Sequence, residues 1–251
     1  MLKVRIIPVL LLKGSSLVKS VEFKDHRIVG DAVSAIKVFN QRFADEMIIL
    51  DLDAAERGDI NSPLLSRVSE FCNMPLSFGG GVDSLEKANL LFKSGADKIV
   101  VNSIFFHDKS VVESIIAKFG SQSVILSVDV KLKNNKFTVH YNNGKKTWDK
   151  GDLKDCLRLA EEVGVGEIMV NDISRDGVMN GFDPRLITDA RQFTQKPLLI
   201  AGGCGRKEDF KAAFDLGVDA VCAGSVFHWI GESVISIKNY LDNQKINVRN
   251  I

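Results

Sequence analysis

A chain of 251 residues with 45% hydrophobic and 26% charged side chains has the composition of an ordinary soluble globular protein. This length suits one large domain with a single core, and we expect residues 1–251 to form that domain. The formal net charge of +1 excludes nucleic-acid or membrane-surface binding that rests on bulk electrostatics.

The cysteine pattern and the first residues indicate a cytoplasmic protein, and no pattern in the sequence predicts a metal or a cofactor. The four cysteines lie far apart without a C-x-x-C motif, which argues against a zinc ribbon or a disulfide framework; they are Cys72, Cys156, Cys204 and Cys222. The opening MLKVRIIPVLLLKG imitates a signal peptide, but Pro8 splits its apolar run and Lys13 closes it. No apolar stretch approaches the roughly 20 residues of a membrane span.

Short β-branched runs alternate with amphipathic segments along the chain. The amphipathic segments, such as SLEKANLLFKSG and KEDFKAAFDLG, end at a glycine suited to a helix C-cap. The apolar runs are typical of buried parallel strands; they are RIIPVLLL, MIILDLD, LSFGG, KIVVN, VILSVDV, EIMVND, LLIAG and AVCAG. Eight such units predict an α/β fold, a single (β/α)8 TIM barrel.

One segment interrupts this alternation. Residues 131–146, KLKNNKFTVHYNNGKK, contain two short alternating runs and two turn signals, Asn-Asn and Asn-Asn-Gly. We therefore predict a β-hairpin inserted after the fifth strand.

The chain also repeats itself at half its length. The segments are FGGGVDSLEKANLLFKSGADKIVVNSIF (78–105) and AGGCGRKEDFKAAFDLGVDAVCAGSVF (201–227), and they align without a gap from Gly80 on Gly202 onward. This pattern indicates the duplication of a half-barrel.

In each half, a glycine pair follows one strand and small polar residues follow the next. Backbone N–H groups and helix N-termini at such places bind anions, so we predict two phosphate sites at the barrel mouth. The predicted phosphate-binding residues in the two halves are Gly80, Gly81, Asn102, Ser103, Gly202, Gly203, Gly224 and Ser225. Gly177, in the loop after strand six, is also predicted to bind phosphate. A lone glycine pair can equally be a plain strand end; the duplication favours a substrate with anionic groups at both ends.

Three polar residues are predicted for catalysis at the same mouth. Asp129 ends strand five, and Asp176 lies in the SRDGVMNG loop after strand six. Lys19, in the loop after strand one, is expected to clamp an anion there, and the alternative for Lys19 is a solvated surface lysine. For Asp51 and Asp172, helix capping or loop support is the favoured interpretation.

Four charged residues stand at the starts of strands, at the opposite end of the barrel. Their signs alternate, and they are Arg5, Glu46, Lys98 and Glu167. Singly, each is an ordinary charge at a sheet edge; together they predict a ring across the barrel bottom. The histidines His26, His107, His140 and His228 lack metal spacing and are expected at the surface or behind the site.

Strand one lacks the carboxylate that its symmetric partner carries. When IPVLLLKG is set on LSVDVKLK with Lys13 over Lys131, Leu11 stands where Asp129 stands in strand five. A leucine cannot transfer a proton, so this position bears directly on the chemistry.

In order and over nearly the whole length, several motifs resemble the HisF family, the cyclase subunit of imidazole glycerol phosphate synthase. They are RIIPVLLLK, FGGGV, GADKIVVNS, SVDVK, GEIMVNDISRDG, IAGGCG, AGSVFHW and the terminal INVR. The resemblance implies a lyase-type cyclase that works on a bis-phosphorylated substrate. It also implies a glutaminase (HisH-like) subunit docked on the barrel bottom. Ammonia then crosses an ammonia gate formed by Arg5, Glu46, Lys98 and Glu167.

Two departures from that family bear on function. Family cyclases use aspartates on strands one and five as general acid and base, and here Leu11 replaces the first of them. In the loop after strand six, Ser174 replaces the first aspartate of the usual DRDG motif. The segments VLLLKGSSLVKSVEFKDHRIVGDAVSAIKVFN and DEMIILDLDA are similar to the HisF-like acetamidino-modification proteins of surface-polysaccharide clusters. That similarity implies ammonia delivery to a separate sugar amidotransferase.

Three hypotheses of function therefore stay open. An ammonia-relaying subunit of an acetamidino-forming system is favoured by Leu11. A histidine-pathway cyclase with a displaced acid or base is favoured by Asp129, Asp176 and the twin phosphate sites. A stand-alone phosphoribosyl isomerase is the weakest, since it would use a strand-one aspartate and would not need the bottom ring.

Overall fold

A computed structural model describes residues 3–229 and 231–249 of the chain. Its strands, in chain order, are β1 (Arg5–Lys13), β2 (Ser16–Val21), β3 (Lys24–Gly30), β4 (Met47–Asp51), β5 (Leu76–Gly79), β6 (Lys98–Val101), β7 (Val124–Lys133), β8 (Lys136–Tyr141), β9 (Lys146–Thr147), β10 (Glu167–Asp172), β11 (Leu198–Ala201) and β12 (Ala220–Ala223). Its helices are α1 (Ala32–Gln41), α2 (Ala54–Arg57), α3 (Ser62–Ser69), α4 (Leu85–Lys93), α5 (Ser103–His107), α6 (Lys109–Phe119), α7 (Leu153–Val163), α8 (Pro184–Phe193), α9 (Lys207–Asp215), α10 (Val226–Trp229) and α11 (Val234–Asn243).

Eight parallel strands close into a barrel, which confirms the predicted (β/α)8 fold. Their order around the barrel is β1, β4, β5, β6, β7, β10, β11 and β12. The pairing of β7 with β10 and of β12 with β1 completes the circle. β1 and β7 therefore lie on opposite sides of the barrel, as do the two repeated halves.

The barrel strands are almost wholly apolar because both of their faces are buried. One set of side chains packs outward against the helices. A second set fills the barrel interior; it comprises Ile7, Ile48, Val100, Ile125, Met169, Leu199, Ala201, Ala220 and Cys222. We call this second set the interior layer. It lies between the two ends of the barrel.

The helices begin where the sequence offers a capping side chain. Ser84 accepts a hydrogen bond from the backbone N–H of Lys87 at the start of α4, and Asp152 caps α7 in the same way. Such a cap contributes about 0.5–2 kcal/mol. α7 ends at Gly164, whose φ of +80° suits glycine.

The predicted hairpin after strand five is present. β7 continues beyond the barrel and pairs antiparallel with β8, which pairs with β9. Asn134 and Asn135 form the first turn with φ of +48° and +62°. Consecutive positive φ values are typical of tight hairpin turns, and asparagine tolerates them better than most residues.

A second hairpin was not predicted from the sequence. The segment expected to be a loop after strand one forms β2 and β3, and β2 pairs antiparallel with the end of β1, Leu11 against Val18. Its turn uses positive φ at Glu22, Phe23 and Asp25. Only Asp25 is a residue that commonly adopts positive φ in turns, so Glu22 and Phe23 give no sequence signal for this turn.

Within residues 3–229 and 231–249, no helix combines the length and the apolar character that crossing a bilayer requires. In the same part of the chain, Cys72, Cys156, Cys204 and Cys222 are free thiols.

Candidate functional site

A cavity of about 440 Å³ opens at the carboxyl ends of the barrel strands. The residues predicted for catalysis and for phosphate binding all line it. They are Lys19, Asp129 and Asp176, the group Gly80, Gly81, Asn102 and Ser103, and the group Gly177, Gly202, Gly203, Gly224 and Ser225. The structure thus brings together residues that are up to about 200 positions apart in sequence.

Asp129 lies at the wall of this cavity with only 7% of its surface exposed. Its Oδ1 accepts a hydrogen bond from Asn171 Nδ2 at 3.2 Å, and its Oδ2 accepts one from Asn102 Nδ2 at 3.3 Å. Burial, together with nearby Asp176, raises the pKa of Asp129 to about 7, although the two amides oppose the shift. A carboxyl group with such a pKa can both accept and release a proton near neutral pH.

Lys19 is buried on β2, with 6% of its surface exposed, and is not a solvated surface lysine. Its Nζ donates a hydrogen bond to the carbonyl oxygen of Val9 at 2.8 Å. A Cβ added at Gly224 would collide with this amine, so the amine lies directly over the second glycine group. Burial lowers the pKa of Lys19 to about 8, and Asp176 limits the decrease.

Asp176 is held in place by the β2–β3 hairpin. Its Oδ2 accepts a hydrogen bond from Ser20 Oγ at 3.1 Å, and its backbone oxygen accepts one from the N–H of Glu22 at 2.8 Å. Burial raises the pKa of Asp176, while Ser20 and Lys19 act in the opposite direction. The hairpin therefore positions both Lys19 and the loop after strand six.

The two glycine pairs occupy equivalent places in the two half-barrels. Gly80 has φ +111° and packs against the backbone oxygen of Asp51; Gly202 has φ +84° and packs against that of Asp172. A Cβ at either position would overlap the carbonyl, and the positive φ disfavours any other residue. The repeat in the sequence is therefore a repeat in backbone geometry around the mouth.

Leu11 lines the same cavity as Asp129. In the sheet it lies beside Val18 on one side and Leu50 on the other. Leu50 also lines the cavity, so this part of the wall carries no group that exchanges a proton. The wall formed by β1 is apolar where the wall formed by β7 carries a carboxyl group.

At the other end of the barrel, the four predicted charges form a closed ring. Glu46 lies between the two cations, with Arg5 Nη1 at 2.8 Å and Lys98 Nζ at 2.9 Å. Glu167 closes the circle, with Arg5 Nη1 at 3.1 Å and Lys98 Nζ at 2.7 Å. Each charge thus touches two charges of the opposite sign.

The ring is largely shielded from solvent. The side chains of Arg5 and Lys98 are 12% and 16% exposed, and those of Glu46 and Glu167 are 6% and 11% exposed. Burial alone would raise the pKa of Glu46, but Arg5 and Lys98 hold it below its ordinary value. The buried Glu46 carboxylate is therefore stabilised in its charged form by the two cations that it contacts.

Between the ring and the mouth lies the interior layer. Val100, Met169 and Cys222 belong both to this layer and to the cavity lining, so the cavity floor is apolar. The barrel interior therefore changes from charged at the bottom to apolar in the middle and polar at the mouth.

Several polar contacts of the site could not be singled out from the sequence. Asn171 supports Asp129 because the register of β10 against β7 places the two side by side.

Asp51 accepts a hydrogen bond from the N–H of Asp53 and pairs with Arg57 Nη2 at 2.7 Å, which matches its expected role in supporting a loop. Asp172 accepts from the N–H of Ser174, again in its own loop.

The histidines do not form a joint site. His26 and His107 are exposed at the cavity rim, and the imidazole of His140 lies beside Thr138 in the hairpin, whereas His228 is partly buried. In the described part of the chain, no three His, Cys, Asp or Glu residues are placed to hold a metal ion.

Comparison with known proteins places this geometry in a family. The chain matches the model of the histidine biosynthesis protein family over residues 5–230. It is 38% identical over 245 residues to a Leptospira interrogans protein with the provisional name imidazole glycerol phosphate synthase subunit HisF, covering 96% of both chains. It is 37% identical over 254 residues to a provisionally named hisF2 subunit of the same synthase from Campylobacter jejuni, covering 99% of both. It is 36% identical over 250 residues to the imidazole glycerol phosphate synthase subunit HisF of Dictyoglomus thermophilum, covering 99% of both. The chain is therefore a member of the histidine biosynthesis protein family, and within that family it belongs to the HisF-type synthase subunits.

Proposed function

We propose that this chain is the ammonia-relaying subunit of a glutamine amidotransferase complex. A glutaminase subunit supplies ammonia at the charged ring, the barrel interior conducts it, and a separate acceptor enzyme uses it at the mouth. The observation that carries the proposal is Leu11, which occupies the cavity wall opposite Asp129 in a barrel that keeps the ring.

Leu11 separates a relay function from a cyclase function. Ring closure and cleavage of a substrate require a group that donates a proton and a group that accepts one. Asp129 can act as one of these groups, and across the cavity β1 and β4 present Leu11 and Leu50 where a second carboxyl would stand. Loss of one proton-transfer group typically costs about 10²- to 10⁴-fold in rate.

The ring and the interior layer support transport of a neutral molecule. Four charges at the base of a barrel are costly to bury unless they pair, and here they pair completely. Above the ring, an ammonium ion would have no counter-charge among the apolar side chains, whereas ammonia carries no net charge. The arrangement therefore suits ammonia released from glutamine on the ring side.

The proposed glutaminase uses a Cys-His-Glu site and docks on the end of the barrel that holds the ring. Asp97, which precedes the ring residue Lys98, is exposed on this side. Relatives of the chain are named as subunits of a synthase, which is in keeping with a partner at this face.

The proposed product is an acetamidino group on a surface-polysaccharide sugar. Acetamido and acetamidino groups differ by one nitrogen in place of one oxygen, so the conversion needs ammonia at an enzyme that activates the oxygen for departure. The support is the resemblance of the first strand and the following segment, and the existence of relatives with numbered names such as hisF2 and hisF3. The proposed acceptor enzyme is a sugar amidotransferase.

A histidine-pathway cyclase is the second candidate. The pKa of Asp129 near 7, the position of Lys19 over Gly224 and the two equivalent glycine groups favour it. These features also allow a phosphorylated ligand to bind at the mouth without being converted.

The two candidates are separated by an assay of the purified chain with ammonium salt and the bis-phosphorylated substrate of the family cyclase. Relay predicts turnover about 10²- to 10⁴-fold below that of a relative with both aspartates, since half of the proton-transfer pair is absent. Turnover equal to that of such a relative would establish the cyclase and reject the relay.

A further inference from the structure

The hairpin that follows strand five concentrates positive charge. Residues 131–146, which we call the lysine hairpin, contain five lysines and no aspartate or glutamate. The rest of the chain carries 28 basic and 32 acidic side chains, so it is slightly acidic. The positive electrostatic potential of this segment acts on any charged molecule that approaches this part of the surface.

The lysine hairpin stands beside the mouth and far from the charged ring. Its second turn contributes Asn142, Asn143 and Lys145 to the cavity lining. Asn143 Nδ2 donates to the backbone oxygen of Leu52 at 3.3 Å, across the mouth. A partner that covered the hairpin would therefore also cover the exit of the barrel.

Most of these lysines are available to a partner. Among residues 3–229 and 231–249, only Lys145 of the five forms an ion pair, with Glu56 at 3.1 Å. Lys133 and Lys136 are exposed and face each other in the β7–β8 register, and Lys146 is exposed as well. Leu132, between two lysines, is 40% exposed and adds an apolar contact.

The platform beneath the lysines is rigid. Tyr141 stacks on Phe106 with 5.3 Å between ring centroids, and Trp148 lies 5.8 Å from the same ring. The backbone N–H of Asn142 donates to Ser103 Oγ at 3.1 Å. At the other turn, Arg185 Nη1 donates to Asn135 Oδ1 at 2.9 Å. A surface held in this way loses little freedom when it binds.

We propose that the lysine hairpin is the docking surface for the acceptor enzyme, which presents an acidic face to it and covers the mouth. This inference rests on the proposed function as a relay. Ammonia that left an uncovered mouth would be protonated in neutral water before it reached a second active site. Lys133 and Lys136 do not line the cavity, so they suit a protein surface and not a small anion inside it.

The test uses the chain with its glutaminase and an ATP-dependent sugar amidotransferase that accepts ammonium salt as a nitrogen source. The double variant Lys133→Glu/Lys136→Glu is compared with Lys37→Glu/Lys211→Glu, which makes the same change in net charge on the outer helices α1 and α9. Association of the amidotransferase is measured by biolayer interferometry at low and at physiological ionic strength.

The hairpin variant should bind the amidotransferase at least about tenfold more weakly, because like charges meet at the interface. Glutamine-dependent transfer should fall with it, whereas ammonium-dependent turnover and the unfolding temperature of the chain should stay unchanged. Binding by the unaltered chain should weaken as salt increases, and binding by the hairpin variant should not.

The outcomes distinguish the docking surface from the relay. Equal transfer by the hairpin variant and the unaltered chain would overturn the docking surface and leave the relay intact. Equal losses in both double variants would also overturn it, since the effect would then be one of net charge. No glutamine-dependent transfer by the unaltered chain would overturn the relay and, with it, the docking surface.

Discussion

Leu11 of β1 and Asp129 of β7 line one cavity from strands on opposite sides of the barrel. The half-barrel repeat makes these two positions equivalent, yet one is apolar and the other titrates near neutral pH. The wall opposite Asp129 therefore lacks the carboxyl that the repeat would place there. The same chain keeps a complete ring of charges at the other end. The proposed ammonia relay rests on these two features, the charged ring and the leucine at position 11.

Restoring the carboxyl at position 11 should create or raise cyclase activity. Leu11→Asp returns a second proton-transfer group to the wall opposite Asp129, and we expect an increase of about 10-fold or more in turnover with ammonium salt. Leu11→Asn, of similar size and without an acid, should give no increase. The comparison is made by steady-state kinetics on the family substrate. Equal rates for the two variants would show that the missing acid is not what limits this chain.

Asp129 should make stability depend on pH. Its pKa is 3.8 when unperturbed and about 7 in the folded chain, so the folded state holds the proton more tightly. The resulting stabilisation is complete below the unfolded value and is lost as pH rises through about 7. Asp129→Asn removes this dependence. We therefore compare the free energy of unfolding of Asp129→Asn with that of the unaltered chain. This difference should shift in favour of the variant by on the order of 2–4 kcal/mol from about pH 5 to about pH 8.

The measurement is urea unfolding at the two pH values, with Asp25→Asn at an exposed turn as the control. The variant also loses one acceptor for Asn102 or Asn171, but that cost is the same at both pH values. An unchanged difference between Asp129→Asn and the unaltered chain across the pH range would contradict the assigned burial effect.

The eight strands, the hairpin after strand five and the candidates for the ring could be predicted because they depend on patterns within short segments. Buried parallel strands are continuous apolar runs, and Arg5 and Lys98 each stand where such a run begins. Contacts between strands could not be predicted in this way. The support of Asp129 by Asn171 depends on the register of two strands that are about 40 residues apart.

The β2–β3 hairpin shows a second limit. Its outer strand, KDHRIVG, is exposed nearly throughout and has no apolar alternation. Its turn places Glu22 and Phe23 at positive φ, which residue preferences argue against. The hairpin forms because β2 pairs with β1 and because Asp176 bonds to it, and both are tertiary contacts. For this reason the burial of Lys19 was left open by the sequence.

Removing one cation from the ring should uncouple the two ends of the barrel. Lys98→Ala leaves Glu46 and Glu167 with Arg5 alone, so a buried carboxylate loses half of its pairing. Glutamine hydrolysis in the assembled complex should continue, while transfer of the amide nitrogen should fall several-fold and recover with added ammonium salt. Lys211→Ala, on α9, is the control. If Lys98→Ala left transfer unchanged in an assembled complex, the ring would have no part in transport.

A buried ion pair next to the ring should be important for stability. Lys238 of α11 is 2% exposed and donates to Asp45 Oδ1 at 2.8 Å, while Asp45 Oδ2 accepts from the N–H of Ile6. Asp45 and Ile6 adjoin the ring residues Glu46 and Arg5. Lys238→Met leaves the carboxylate buried without a cation, at a cost of about 3–5 kcal/mol.

Asp45→Asn combined with Lys238→Met should recover part of that loss, because the uncompensated charge is then absent and the acceptor for Ile6 remains. Urea denaturation of the single and double variants gives the coupling between the two side chains. Additive effects would mean that the pair makes no mutual contribution.

The most direct test of the relay follows the amide nitrogen of glutamine. The chain, its glutaminase and the acceptor amidotransferase are supplied with glutamine labelled with ¹⁵N at the amide, an acetamido sugar, ATP and an excess of unlabelled ammonium salt. The products are analysed by mass spectrometry. The relay predicts ¹⁵N in the acetamidino group at an enrichment well above that of the bulk ammonium, because ammonia travels inside the barrel. An enrichment equal to that of the bulk ammonium, or ¹⁵N incorporated into an imidazole product when the bis-phosphorylated substrate is offered instead, would contradict it.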